Sequence, residues 1–453
     1  MSEYEKDLET AQIIAQEVKN IGGRAFYVGG FVRDKLMGVS NKDIDIEVHG
    51  VTTGDLENIL DRIGGKITIG ESFGVYGLKG HSLDIAMPRK EEMMGRGHRD
   101  FNVCVNPFLG TRKAAMRRDF TINALMQDVL TGEIVDEFNG RIDLEKRVIR
   151  HINDKTFVED PLRVLRGAQF ASRFGFEIAE ETIELCKTMD LSYLAKERVI
   201  AELEKALLKA DKPSVFFEFL RKTNQLSVWF GELEALIGIQ QNPLFHLEGD
   251  VWVHTMMVLD EAVKYRDKVS NPLGFMMSAI THDFGKAICT EIINGVIHSY
   301  NHETKGLPLV ESFMKRLTNE TKLIEYVLNL SKHHMKPNVL AFGKSSVKST
   351  NKLFDKAIDP EALIYLSASD SSGKISSCNH VSNVEFLTER LEIFKEYMSR
   401  PYVMGRDLIE AGLHPNEKFA EYLEYAHKLR LAGVEKESAL KQTLSFARKG
   451  ENK

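Results

Sequence analysis

Asp43 and Asp45 lie two residues apart in the alternating string DIDIEV, downstream of the pair Gly29-Gly30. On a strand, residues i and i+2 project from one face. The two carboxylates then offer hard oxygen donors of the kind Mg²⁺ takes alongside substrate phosphates. Two such ions can activate an attacking hydroxyl and stabilise a leaving pyrophosphate. Gly29-Gly30 follows the apolar run Ala25–Val28 and precedes the helix-compatible Phe31–Met37, so backbone N–H groups there can approach phosphate oxygens at a helix N-terminus. Asp84, in the later strand-like LDIA, is the candidate third carboxylate. A lone Gly-Gly or a lone pair of acids is an ordinary turn or an ordinary solvated strand. Both together, with Arg33-Asp34 between them, point to nucleotide chemistry.

A second group lies further along. Seven of the fourteen histidines fall between positions 246 and 334. His254, the adjacent His282-Asp283, and Asp370 form a set of imidazoles and carboxylates suited to a divalent metal, with His302 and His334 as additional candidates. A single histidine is more often a satisfied core residue; the set favours metal. A third pattern is Asp160, Arg163 and Arg166, spaced three apart and so on one face of a helix. A carboxylate acceptor and guanidinium donors held there can pair with the Watson–Crick edge of C or A. Alone, these residues would read as an intrahelical ion pair.

The elements that must position these groups follow from the rest of the chain. At 453 residues it is long enough for about three domains. A net charge of −6 argues against a bulk nucleic-acid coat but leaves room for a local basic groove, for which Arg112, Lys113, Arg117, Arg118, Lys146, Arg147, Arg150, His151, Arg163, Arg166 and Arg173 are the candidates. No apolar run approaches a membrane span, the N-terminus is acidic and polar, and four scattered cysteines without a CxxC pair read as reduced thiols. A helix is expected over the first twenty or so residues, ending at Gly22-Gly23. Strands are expected at 25–28, 43–48, 66–69, 75–78 and 83–86, and a flexible segment at 89–116. From about Asp154 amphipathic helical stretches dominate, interrupted by a loop-like segment, Gln240–Gly249, and ending in a polar helical tail.

The first string stands as Gly29-Gly30, Val32-Arg33-Asp34, Leu36-Met37-Gly38 and Asp43/Asp45. It resembles the first motif of the class II tRNA nucleotidyltransferases (CCA-adding enzymes) and the related bacterial poly(A) polymerases, with Met37 in place of a usual leucine. The resemblance continues in order. Arg117-Arg118-Asp119-Phe-Thr-Ile-Asn123 is similar to the ribose-selecting motif, Asp136–Leu144 to a hinge-like motif, Glu159-Asp160-Pro-Leu-Arg163-Val-Leu-Arg166 to the amino-acid template for the incoming base, and Arg198–Leu203 to the helix that steadies it. Gln169 replaces an arginine common in relatives. His254, His282, Asp283 and Asp370 match the H…HD…D signature of the HD phosphohydrolase superfamily.

The resemblance implies an α+β protein: a nucleotidyltransferase head with a mixed sheet (1–147), an all-α body binding nucleotide and tRNA (148–238), an all-α HD domain (239–380) and a helical tail (381–453). It implies template-independent CCA addition to tRNA from CTP and ATP. Asp43 and Asp45 would hold Mg²⁺, with Asp84 beside them; Gly29, Gly30, Arg33, Asp34, Arg118, Asp119, Asn123, Asp160, Arg163 and Arg166 would bind nucleotide. A divalent metal of unknown identity is expected in the HD domain, where a phosphomonoesterase or 2′,3′-cyclic phosphodiesterase activity is implied. A cytoplasmic location without membrane association is expected, and the oligomeric state stays open, a homodimer among the options. Three alternatives remain: a poly(A) polymerase, disfavoured by the lack of a basic GRRF-like string; a partial enzyme adding only CC or only A; and an HD phosphohydrolase with an inactive RNA-binding head.

Overall fold

Helix α1 (Glu3–Asn20) starts at a capping box in which Ser2 and Glu5 satisfy each other's backbone N–H. Its face of Ala11, Ile14, Ala15 and Val18 is fully buried, and each of the larger side chains contributes about 1.5–3 kcal/mol on leaving water. What it covers is a sheet. The structure, a computed structural model, describes residues 2–70, 74–93, 101–375 and 383–451, and divides into two units, Met1–Trp229 and Phe230–Lys453.

In the first unit the strands are β1 (Arg24–Val28), β2 (Ile44–His49), β3 (Lys66–Gly70), β4 (Val75–Leu78), β5 (Leu83–Ala86), β6 (Arg89–Met93), β7 (Phe101–Val105), β8 (Met126–Asp128) and β9 (Ile134–Val135). Seven of them form one sheet in the order β3-β4-β5-β2-β1-β8-β9. β2 and β5 run parallel while the other pairings are antiparallel, so the sheet is mixed, as read from the sequence. Helix α2 (Gly30–Leu36) and helix α3 (Thr53–Ile63) complete this part, with Leu56, Ile59 and Leu60 of α3 buried against the sheet core.

One expectation needs correction here. The segment 89–116 is not simply a flexible loop: β6 and β7 pair antiparallel along five positions, from Arg89↔Val105 to Met93↔Phe101, and Thr111–Met116 is helical. Residues 94–100 lie outside the described residues. The alternation of polar and apolar residues in FNVCV carries the strand signal, which the surrounding glycine and charge mask.

The region after residue 148 is mainly helical, but not wholly. Val148–Ile149 pairs in parallel with Glu177–Ile178 beside the helix Leu162–Phe174. The second unit likewise carries a hairpin, Glu291–Ile293 with Val296–His298. Its turn is Asn294-Gly295, both at positive φ (52° and 79°), the geometry that favours Asn-Gly in two-residue hairpins. The remainder of that unit is helical around Trp252, Phe275, Phe284, Phe313 and Leu363, all fully buried. Its last two helices, Phe419–Leu431 and Lys436–Glu451, pack through Tyr422, Ala439 and Ala447, with Tyr425 stacked on Phe446. Among the described residues no helix is long and apolar enough to cross a membrane, and Cys104, Cys186 and Cys289 are free thiols. Cys378 lies outside the described residues.

Candidate functional site

Asp43 immediately precedes β2 and Asp45 is its second residue, and both line a cavity of about 850 Å³ in the first unit. Register places Asp84 of β5 directly beside Asp45 on the neighbouring parallel strand. Asp45 is pushed up to about 6, by burial first and then by the charges of Asp84 and Asp43. Three crowded acids with only oxygen donors fit a hard divalent cation, which would relieve their repulsion. Glu47 continues the same face, one step further in, and is completely buried. It sits 3.3 Å from Arg118 Nη2, 3.6 Å from Arg117 Nη2 and 2.9 Å from His49 Nε2. Despite its burial these partners hold its carboxyl down to about 2. The alternation that flags Asp43 and Asp45 extends to Glu47, and that extension is the signal sequence reading passed over.

Gly29 begins α2 at φ 66°, ψ −133°, a conformation open to glycine and strained for other residues. A Cβ there would lie 3.2 Å from Arg118 Nη1 and 3.5 Å from Asp45 Oδ2, so the absent side chain is what lets arginine and acid close on the turn. Gly30 also lines the cavity.

Behind the turn, Arg33 is committed. Its Nε donates to Asp34 at 2.8 Å and its Nη1 to Asn123 at 2.6 Å, and its guanidinium lies over Phe170 and Phe174. Asp34 also accepts from Asn41 at 2.8 Å. Asn123 sits in a 3₁₀ turn and donates to Asp119 Oδ1 at 2.9 Å, while its carbonyl accepts from Arg118. Asp119 Oδ2 accepts from Arg166 Nε at 2.7 Å, and Arg166 also lies 3.8 Å from buried Glu202. The turn is braced from below: Thr121 donates to Asp143 at 2.7 Å, and Asp136 accepts from the N–H groups of Gly140 and Arg141.

The template pattern takes a different form from the spacing argument. Asp160 precedes the helix Leu162–Phe174, and its ion-pair partner is Arg198 at 2.9 Å, from the helix Lys196–Lys209. Arg163 donates to the carbonyls of Thr156 (2.7 Å) and Arg117 (2.5 Å). All three residues line the 850 Å³ cavity, joined by Lys205 and Lys209, so the cavity that holds the β2 acids also carries a group of basic side chains. Gln169 is buried and does not line the cavity.

The second unit holds the histidine set. Asp250 caps the helix Val251–Arg266, which carries His254; His282-Asp283 ends the helix Pro272–Thr281; His334 ends Thr321–His333; and Asp370 belongs to Pro360–Ser372. Gly285 permits the close approach of His302, since a Cβ would lie 2.0 Å from the His302 carbonyl oxygen. His254 Nε2 is 3.2 Å from Asp370 Oδ1 and 3.5 Å from Asp283 Oδ2; His282 Nε2 is 3.3 Å from Asp283 Oδ2; His302 Nε2 is 3.2 Å from Asp283 Oδ1 and from His334 Nε2. Nδ1 of His282, His302 and His334 faces the carbonyls of Ala279, Ser299 and Ser331 at 2.9, 2.8 and 2.6 Å. With protons at Nδ1, the Nε2 lone pairs fall into two groups, His254 and His282 with Asp370 and His302 and His334 with Asp283, and those of His254 and His282 are buried without a hydrogen bond. This donor set fits a divalent transition metal. Burial and the neighbouring imidazoles lower His334 to about 3, keeping it neutral. Beside Lys286 and His282, Asp283 stays well below the usual carboxylate range. The cluster opens on a cavity of about 240 Å³ lined also by Lys286, Lys374, His298 and Tyr300.

The six residues singled out in this set come together at one locus. Sequence reading left out His246 and Glu248, which flank His254, because they fall in a segment without periodicity.

Residues 25–150 match the Poly A polymerase head domain family, so the sheet and its acids form a nucleotidyltransferase head of that class. The Multifunctional CCA protein of Haemophilus ducreyi is 37% identical over 317 residues, covering 68% of this chain and 74% of the relative. The chain belongs to the class II tRNA nucleotidyltransferase (CCA-adding) family. The fold agrees across nearly the whole length: the Thermotoga maritima CCA-adding enzyme complexed with tRNA aligns with TM-score 0.63 at 20% identity, covering 97% of this chain and 95% of that one. The Bacillus stearothermophilus enzyme in complex with CTP aligns with TM-score 0.68 at 19% identity, covering 98% and 99%.

Proposed function

We propose that this chain adds C, C and A to the 3′ end of tRNA from CTP and ATP with release of pyrophosphate. The observation that carries the reading is that Asp43 and Asp45 line the same cavity as Arg163, Arg166, Arg198 and Lys205. Mg²⁺ held by Asp43 and Asp45, with Asp84 alongside, would supply activation of the 3′-hydroxyl and neutralisation of the departing diphosphate. The chain's own groups do the rest. Backbone N–H groups at Gly29-Gly30 and the Arg118 guanidinium donate to the phosphate oxygens. Asp119 and Asn123 present the polar edge that separates ribose from deoxyribose. Arg33 and Asp34 hold Asn123 in place from the buried side and act on the nucleotide through it.

Base choice falls to Asp160, Arg163 and Arg166. A carboxylate has about four acceptor positions; Asp160 uses three, two on Arg198 and one on the Leu162 N–H. One remains to accept the exocyclic amine common to cytosine and adenine. Arg163 offers about five donors and places two of its nitrogens on backbone carbonyls, which leaves donors free for the base.

For the second unit the proposed activity is metal-dependent phosphohydrolysis at His254, His282, Asp283, His302, His334 and Asp370, within a domain spanning 239–380 between the body (148–238) and the tail (381–453). A cytoplasmic setting follows from the tRNA substrate. The deciding experiment supplies three tRNA transcripts, lacking A, CA or CCA, with CTP, ATP or both. All three ending at CCA is the expected result. A product that stops at CC or gains only A marks a partial enzyme, and a run of A marks a poly(A) polymerase.

A further inference from the structure

The segment 240–249 reads as a connector, yet it reaches the histidine cluster at several points. Gln241 accepts from Lys286 Nζ at 2.9 Å, and Lys286 in turn lies 2.7 Å from Asp283 Oδ2. Glu248 has a side chain only 1% exposed. Its Oε1 is 2.7 Å from His246 Nδ1 and 3.2 Å from His254 Nδ1, and its Oε2 accepts from the Ile375 N–H at 2.9 Å. A carboxylate this buried needs hydrogen bonds at each contact.

The four imidazoles of the cluster are therefore not equivalent. His282, His302 and His334 rest Nδ1 on backbone carbonyls. His254 has a carbonyl too, Gly373 at 3.2 Å, and it also has a carboxylate behind it within hydrogen-bond distance, whereas the carboxylate beside His302 Nδ1, that of Glu303, lies 3.9 Å away. An anionic acceptor at Nδ1 fixes the tautomer and ring direction and raises the basicity of Nε2. His254 Nε2 is one of the two buried imidazole nitrogens that lack a hydrogen bond.

We propose that Glu248 is a positioning residue that makes His254 the strongest imidazole ligand of the cluster and thereby sets the cluster's metal affinity. The proposal rests on the metal-binding reading given above. A purely structural Glu248 would only staple the connector to Ile375.

The test titrates the full chain with Co²⁺ in excess Mg²⁺, which occupies the all-oxygen head site, and follows the visible absorption of imidazole-bound Co²⁺. Glu248→Ala should weaken Co²⁺ binding by about 10–100-fold. Glu248→Gln, which keeps an oxygen acceptor without the charge, should fall between. CMP addition to tRNA by the head should stay unchanged in both and reports that the chain is folded. Unchanged Co²⁺ affinity in Glu248→Ala, with only a lower melting temperature, would leave Glu248 as a staple and overturn the proposal. So would an extra Co²⁺ in the wild type that disappears in both Glu248→Ala and His246→Ala, because Glu248 would then itself be a ligand. If the wild type binds no Co²⁺, the metal reading fails and the inference with it; if it binds and Glu248→Ala matches it, only the inference fails.

Discussion

The head sets its acids at the lip of a wide cavity, whereas the second unit sinks its ligands into a helical core. Asp45 is partly exposed and raised to about 6, by burial first and then by the charges of Asp84 and Asp43. Asp283 is buried and held well below the usual range by Lys286 and the surrounding imidazoles. At the first site the Arg118 charge offsets the acids only in part and Asp45 stays raised; the second carries its compensation within the protein. A centre of the first kind is suited to being completed together with a charged substrate and its cation. One of the second kind is arranged in advance, with Nδ1 atoms anchored on carbonyls. The two demands lead to the start of a central strand in one case and mainly helix ends in the other.

That contrast can be broken most directly by exchanging acids for amides. Asp45→Asn should lower CMP incorporation by about 10³-fold, the loss expected from several kcal/mol of cation-borne stabilisation. Hydrolysis of a phosphodiester to alcohol and phosphomonoester by the second unit should persist. Asp283→Asn should do the reverse, and side-by-side rates on tRNA lacking CCA and on a chromogenic phosphodiester read both. A single substitution that silences both activities would show that the two centres do not work independently.

The next largest effect concerns the buried support. Arg33→Ala strands Asp34 beneath the turn and removes the cation that lies over Phe170 and Phe174. Breaking a buried pair in this way should cost about 3–5 kcal/mol, measured by urea unfolding of the full chain. A loss under 1 kcal/mol would mean that Arg33 is spent on substrate and not on structure.

The smallest effect sharpens the electrostatic difference. As pH falls through about 6, Asp45 gains a proton and a cation must displace it. The apparent Mg²⁺ requirement for nucleotide addition should then rise about tenfold per pH unit, while Asp283 stays charged over the same window. A Mg²⁺ requirement flat between pH 5 and 7 would contradict the raised value.

Local spacing carried much of this in advance. Gly29-Gly30, Asp43, Asp45 and His282-Asp283 are neighbours in the chain, and the periodicities of strand and helix project them correctly. What spacing could not carry were pairings between distant residues. Asp160 meets Arg198 across 38 positions and Arg33 meets Asn123 across 90, so an apparent Asp–Arg helix face resolves into contacts between helices. Glu47 looks like one more solvated acid until the sheet buries it under two arginines. Glu248 lies in a stretch with no period at all, and only the return of the chain at Ile375 gives it a role. The hairpin at Asn294-Gly295 carries its signal in the dipeptide, which a reading of the region as helical leaves out.

The amide of Asn123 has one accepting end and one donating end, and each is spoken for: the oxygen by Arg33, the nitrogen by Asp119. An aspartate would match its outline while turning the donating end into a second anion against Asp119. The region is therefore keyed by polarity more than by volume, and a change invisible to packing would unfasten the helix Leu162–Phe174 from the turn that faces it.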